Sequence, residues 1–269
     1  LLAVADAAEA MHSPVLLGFS GLYLPDPDRV VKERLSVYAA LGLEVCRSLS
    51  VPANLIFNES PYMDWVLEAA RLGFGMVMFS DGRLGFDEQL EQVSWVVRIA
   101  HRLGAAVEAE AAALPGVGGE LTSEPGDRRL TDPEQARWFV ERTGVDAFAV
   151  NVGQAHLHGR QEVRLNLERL AELHRVIPAP LVLHGASSVH EADLVEAIRQ
   201  GVRKINVGSR LKQVYFEAIR RAVRSVGEHY NPYEVVGSGL PGDVLTVGRL
   251  ALQEAVGGLM RLFGSVGRA

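Results

Sequence analysis

Six short apolar runs in this sequence end on side chains able to do chemistry. Asn58 and Glu59 close VPANLIFNE, and Ser80 and Asp81 close GFGMVMFSD. Glu108 and Glu110 alternate in AAVEAEAA, His156 follows FAVNVGQA, His184 closes PLVLH, and Asn206 closes VRKIN. Imidazole nitrogens suit zinc, and two histidines with one glutamate form an accepted catalytic set that keeps one coordination position open. His156, His184 and Glu59 are the candidates for such a set. Polar strand ends also arise wherever a loop begins, but His184 sits directly behind PLVL, among apolar neighbours. His12, His101, His158, His174, His190 and His229 fall in helical or loop sequence and read as surface or structural residues.

Two further stretches, Gly185-Ala186-Ser187-Ser188 and Asn206-Val207-Gly208-Ser209, join a strand-like run to a helical one. Small residues let backbone N–H groups approach an anion, and a helix N-terminus adds a favourable dipole. Gly185, Ser187, Asn206, Gly208 and Ser209 are therefore candidate phosphate contacts, although Ser-Ser is also an ordinary helix cap.

These residues need a scaffold that gathers strand ends. The runs Ser13–Ser20, Val51–Asn58, Gly73–Ser80, Ala105–Ala112, Val145–Val152, Pro180–Ser187 and Val202–Ser209 read as strands. Helical patterns lie near 1–12, 29–47, 61–72, 84–103, 132–143, 164–175, 190–200, 209–227 and 241–265. Thr131-Asp132-Pro133-Glu134 supplies a cap with proline in the first turn, and Gly73, Gly104 and Gly144 end three helices. Strands apolar on both faces and separated by helices predict a parallel sheet. Seven strands fit a doubly wound sheet or a (β/α)8 TIM barrel whose first strand is absent, and the barrel is the preferred reading, as one domain over 1–269. In a barrel the chemistry sits at the carboxyl ends of the strands, and the long stretch Leu114–Leu130 opens on that face.

Composition narrows the function classes. A net charge of −6 argues against non-specific nucleic-acid binding. The single cysteine, Cys46, excludes an intramolecular disulfide, and no apolar run reaches the ~20 residues of a membrane span. No leader is visible before the helix-like opening. The expectation is a cytoplasmic protein without membrane or nucleic-acid partners.

The segments ESPYMDWVLEAARLGFGMVMFSDG, VEAE, LTDPEQARWFVERTGVDAFAVNVGQAH, LVLHGASSV and VRKINVGSRL, in that order, resemble the class II, metal-dependent ketose-bisphosphate aldolases. The resemblance runs from about Leu2 to Arg224. It implies a (β/α)8 barrel, a homodimer or homotetramer, and a sugar-phosphate substrate. It also implies a Zn2+ or other divalent ion that polarises a ketone while an aspartate moves a proton. His156 and His184 match two of the family's zinc histidines, and Glu108 its strand glutamate. Gly185 and Ser187 match phosphate-loop positions, and Asn206 the asparagine of its Asn-Val-Asp-Thr. The family reads His-Leu-Asp-His-Gly where this chain reads Ile56-Phe57-Asn58-Glu59-Ser60. Asn58 thus replaces the proton-carrying aspartate, and Glu59 the first zinc histidine. Ser80 stands for an aspartate, Leu157 for a glycine, and Gly208-Ser209 for Asp-Thr.

The resemblance therefore implies a divergent lyase on a phosphorylated ketose, with Asn58 and Glu108 in the catalytic positions. An amide cannot act as a general acid or base, so Asn58 would orient a hydroxyl, and Glu108, Glu110 or Asp81 would move the proton. Two alternatives stand beside it: an isomerase or transferase using the same enediolate, and a catalytically altered paralogue that binds a sugar phosphate or serves as a subunit.

Overall fold

The computed structural model describes residues 1–111, 130–154 and 162–269. Its strands form a seven-stranded parallel sheet in sequence order, β1 Val15–Ser20, β2 Ala53–Ser60, β3 Met76–Phe79, β4 Ala106–Glu110, β5 Ala147–Ala149, β6 Leu181–Leu183 and β7 Val202–Ile205. The helices between them are α1 Leu2–Met11, α2 Leu35–Ser48, α3 Met63–Arg71, α4 Phe86–Arg102, α5 Pro133–Thr143, α6 Leu167–Val176, α7 Glu191–Arg199 and α8 Ser209–Ser225. The short α9 Pro232–Val235 and the long α10 Val244–Phe263 complete the chain. All seven predicted strands are present; β3 to β7 stop short of their expected ends, β2 runs two residues further, to Ser60, and α9 is the addition. Among the described residues no helix is long and apolar enough to cross a membrane.

The chain forms two compact units. The first comprises residues 1–15, 48–52 and 208–269. In it Ala7, Ala8, Val51, Val256 and Met260 make an apolar cluster. Asp6 grips Arg249 through two hydrogen bonds of 2.7 and 2.9 Å. Asp243 caps α10 by accepting from Leu245 N at 2.8 Å.

The second unit, residues 16–47 and 53–207, carries most of the sheet. Side chains alternate along each strand, so every second residue faces the helices. Phe57 of β2 stacks on Trp65 of α3, and Phe148 of β5 meets Phe139 of α5. On the other face Met76, Ala147, Ala149 and Val182 pack together. Continuing that parity toward the carboxyl ends gives Ser80, Glu108, Glu110, His184, Lys204 and Asn206. This face is therefore apolar low in the strands and ionisable at their ends. The helix stops are as expected: Gly73, Gly104 and Gly144 adopt φ of 94, 79 and 72°, the left-handed region that glycine occupies without a Cβ penalty.

Candidate active site

Asn58 and Glu59 are consecutive, and in a regular strand they would point to opposite faces. The pairing of β2 with β3 shifts register between Phe57 and Ser60, and Glu59 takes φ 52°. A non-glycine residue there costs of order 1–3 kcal/mol and persists where the surroundings or function require it. The kink lets both side chains turn to one side. Asn58 meets Asn206, and Glu59 meets His184.

His184, only 1% exposed, is the hub. Its Nε2 lies 2.7 Å from Glu108 Oε1, and its Nδ1 is in short contact with Glu59 Oε1. Lys204 Nζ stands 2.8 Å from Glu108 Oε2. Burial pushes the fully buried Glu108 carboxyl up, but Lys204 and His184 overcome this and hold it at about 2. Burial likewise opposes charge on His184, and the Glu59 and Glu108 carboxylates outweigh it, raising the imidazole to about 10. An ionised Glu108 claims the Nε2–H, although Asn206 Nδ2 also stands 2.9 Å from Nε2. That fixes the ring with Nδ1 toward Glu59.

Glu110, 2% exposed, lies one inward position beyond Glu108, 2.5 Å from the Ser80 hydroxyl. Burial pushes its carboxyl up to about 7, with the Glu59 and Glu108 charges adding and His184 and Ser80 opposing. Asp81 instead binds Arg83 through contacts of 2.8 and 2.6 Å, which holds its carboxyl below the usual range. Of the three predicted proton carriers, Glu108 and Asp81 are thus committed to cations, and Glu110 keeps a proton near neutrality.

Gly185 adopts φ 65° and leads into a 3-10 turn, Ala186–Ser188, that contains Ser187. This loop is stitched to the segment after β5 by Val163 N donating to Ser188 O at 2.8 Å and His190 N donating to Val163 O at 3.1 Å. The buried Asp193 anchors the same segment, accepting from Arg164 twice at 2.7 Å and from Leu165 N at 2.9 Å. Gly208 caps α8, and Ser209 is its first residue, both in the first unit. His156, Leu157, His158 and most of Leu114–Leu130 lie outside the described residues. The other histidines have local roles: His190 caps α7 by accepting from Ala192 N at 3.3 Å, and His101 contacts Asp146 at 2.9 Å.

Two site residues escaped sequence reasoning. Lys204 was visible only as part of VRKIN, and the signal was its parity with Asn206, two residues on. Tyr23, from the loop after β1, has its phenol pushed up by burial and by the charge of Glu59. Nothing in its surrounding sequence pointed inward.

Against this geometry, residues 1–268 match the family model described as fructose-bisphosphate aldolase class-II. The chain belongs to the class II fructose-bisphosphate aldolase family. This aldolase family member is 31% identical to a fructose-bisphosphate aldolase of Thermus caldophilus, over 99% of this chain and 90% of that protein. It is 28% identical to a sulfofructosephosphate aldolase of Alkalicoccus urumqiensis, over 99% and 88%. Among solved structures it resembles the YdjI aldolase of Escherichia coli K12, with TM-score 0.77, 28% identity and coverage of 100% and 88%. It also resembles a putative fructose-1,6-biphosphate aldolase of Coccidioides immitis, with TM-score 0.80, 25% identity and coverage of 99% and 88%.

Membership in the class II aldolases raises the question of a divalent ion. Among the described residues no three His, Cys, Asp or Glu side chains form a metal-binding group. The reason is geometric: Glu59 and Glu108 meet opposite nitrogens of one ring. On the Nδ1 side an imidazole nitrogen and a carboxylate, donor types that zinc takes, are in contact with each other. A ligating histidine commonly gives its other N–H to a carboxylate, as His184 gives Nε2–H to Glu108.

Proposed function

We propose that this class II aldolase family member is a lyase that makes or breaks a carbon–carbon bond in a phosphorylated ketose or related sugar phosphate. The observation that carries the reading is the orientation of His184, whose Nε2 is held by Glu108 while Nδ1 is aimed at Glu59. Glu59 and His184 would hold a zinc or similar ion together with His156. When bound, such an ion supplies Lewis-acid polarisation of the substrate ketone.

The chain's own residues do the rest. Glu108 and Lys204 keep the His184 ring from turning. Glu110, which exchanges a proton near neutrality, takes the proton that leaves the carbon beside the ketone as the enediolate forms. Gly185 and Ser187 offer a small-residue turn to one phosphate, and the assignment of Gly208 and Ser209 to phosphate stands on their sequence positions. The two named relatives, aldolases of fructose bisphosphate and sulfofructose phosphate, support a phosphorylated ketose as substrate class. The seven parallel strands support seven-eighths of a (β/α)8 barrel, and the match over 1–268 supports one catalytic domain. A cytoplasmic homodimer or homotetramer completes the reading.

The test is the metal content of protein purified without added metal, beside Glu59→Ala. About one zinc per chain, lost in the variant, is the expected result. Triose phosphate should then be released in a screen of ketose phosphates. A wild-type protein that stays empty under zinc titration overturns the reading. Asn58 favours a second reading, a catalytically altered paralogue that binds sugar phosphate; that case would show phosphate-ester binding with no ketose cleaved.

A further inference from the structure

A chain of hydrogen bonds starts at Lys204 and ends at Asn58. An ammonium group has donors and no acceptor, so Asn206 must turn its Oδ1 to Lys204 Nζ, which lies 2.5 Å away. That places Asn206 Nδ2 toward Asn58, at 3.2 Å from Oδ1. Two amide NH2 groups cannot face each other, so Asn58 must present its carbonyl oxygen to Asn206. The Lys204 charge orients the Asn206 amide, whose Nδ2 also stands 2.9 Å from His184 Nε2, and Asn206 in turn orients Asn58. Asn58 Nδ2 is then the end of the chain, and no described group takes a hydrogen bond from it. Asn58 is half-buried at the carboxyl end of β2, one residue from Glu59.

We propose that Asn58 acts on the substrate as a hydrogen-bond donor, receiving the oxyanion that forms on the carbonyl oxygen of the aldehyde partner. The inference rests on the lyase reading above. An aspartate in this place would accept and carry a proton; this chain offers instead a fixed N–H held by Asn206 and Lys204. In the condensation direction the enediolate carbon forms the new carbon–carbon bond. The carbonyl π pair moves onto the aldehyde oxygen, and Asn58 hydrogen-bonds the alkoxide without giving up its proton. The proton that completes the alcohol is the one removed from the ketone's methylene carbon and held on Glu110, so atoms and charge balance. Lys204 and Asn206 are positioning residues, because they act through Asn58. A donor preset at the place where negative charge develops stabilises the transition state more than the neutral ground state.

The experiment separates enediolate formation from bond formation. Wild type, Asn58→Ala and Asn58→Asp are incubated with dihydroxyacetone phosphate in D2O, and loss of the methylene proton signal is followed by NMR. The same proteins are then assayed for condensation with glyceraldehyde 3-phosphate, glyceraldehyde and glycolaldehyde. Exchange should persist in all three proteins, which also shows that the variants fold. Condensation should fall about 10²–10³-fold in Asn58→Ala, the range for losing one donor to an oxyanion. Asn58→Asp should lose as much, because it replaces the donor with a negative oxygen. Faster condensation in Asn58→Asp than in wild type overturns the proposal, since the position would then want a proton carrier. Unchanged condensation in Asn58→Ala overturns it too, as does wild-type exchange with no condensation on any aldehyde. Absence of exchange in the wild type is a different failure, that of the lyase reading itself.

Discussion

Glu110 gives the most direct test of the buried charge cluster, and the perturbation is Glu110→Gln. The substitution keeps an acceptor for the Ser80 hydroxyl and removes only the proton equilibrium. Burial raises the Glu110 carboxyl from the ordinary 4.5 to about 7. At about 1.4 kcal/mol per pH unit between the two, ionising it in the folded chain costs about 3 kcal/mol. Between pH 4.5 and 7 the unfolded chain has lost this proton while the folded chain keeps it, so stability falls as pH rises. The neighbours act elsewhere. The raised His184 contributes stability that is complete below 6.5 and lost as pH rises toward about 10. The depressed Glu108 contributes stability that is lost only as pH falls from 4.5 toward about 2. The interval from 4.5 to 6.5 is therefore left, among these three groups, to Glu110. Urea unfolding of both proteins in chelator, at pH steps from 4 to 8, should give matching stabilities at the acid end. By pH 8 Glu110→Gln should be the more stable by about 3 kcal/mol. Parallel curves, with the difference independent of pH, would refute the argument, because they would mean that Glu110 ionises normally inside the fold.

Two further substitutions test the frame around it. Lys204→Met leaves the fully buried Glu108 with His184 as its remaining cation, and breaking a buried ion pair costs about 3–5 kcal/mol. For a chain of this size that is a fall of roughly 10 °C in thermal midpoint, measured by circular dichroism, and an unchanged midpoint would mean Glu108 is protonated in the fold. Gly42→Ala puts a Cβ 2.7 Å from both Leu55 methyls and 3.2 Å from the Phe19 ring, where α2 lies on β2. Overpacking of that kind costs about 1–3 kcal/mol, so a chemical-denaturation midpoint equal to wild type would show that the helix shifts freely.

The strands and helices were legible because each strand is a short apolar run between helical patterns, a signal that needs no long-range information. Leu72-Gly73 and Thr143-Gly144 marked helix ends for a local reason, the positive φ that glycine takes without strain. That Asn58, Glu59, Glu108, His184 and Asn206 would come together was also legible, because a parallel sheet gathers its carboxyl ends and each residue sits at one. The direction of Glu59 was not. Strict alternation sends it away from Asn58, and only the register shift after Phe57, with φ 52°, returns it to His184. Nor was the pairing of Glu108 with a cation readable, since that cation comes from Lys204, far off in sequence; Asp81 pairs with Arg83, two residues on.

Charge decides how these parts divide the work. Glu59 and Glu108 balance His184 and Lys204, so the cluster is closed to net charge while Glu110 holds its proton. A divalent ion between Glu59 and Nδ1 would displace the His184 proton and add one net positive charge. Within this cluster, the group able to answer that charge without breaking an ion pair would be Glu110, by ionising. Cation binding would then be coupled to proton release at Glu110, and the carboxyl would become a base when the ion is bound. With the proton supplied from Glu110, the position of Asn58 no longer needs a titrating group, and an amide held by Asn206 can serve there.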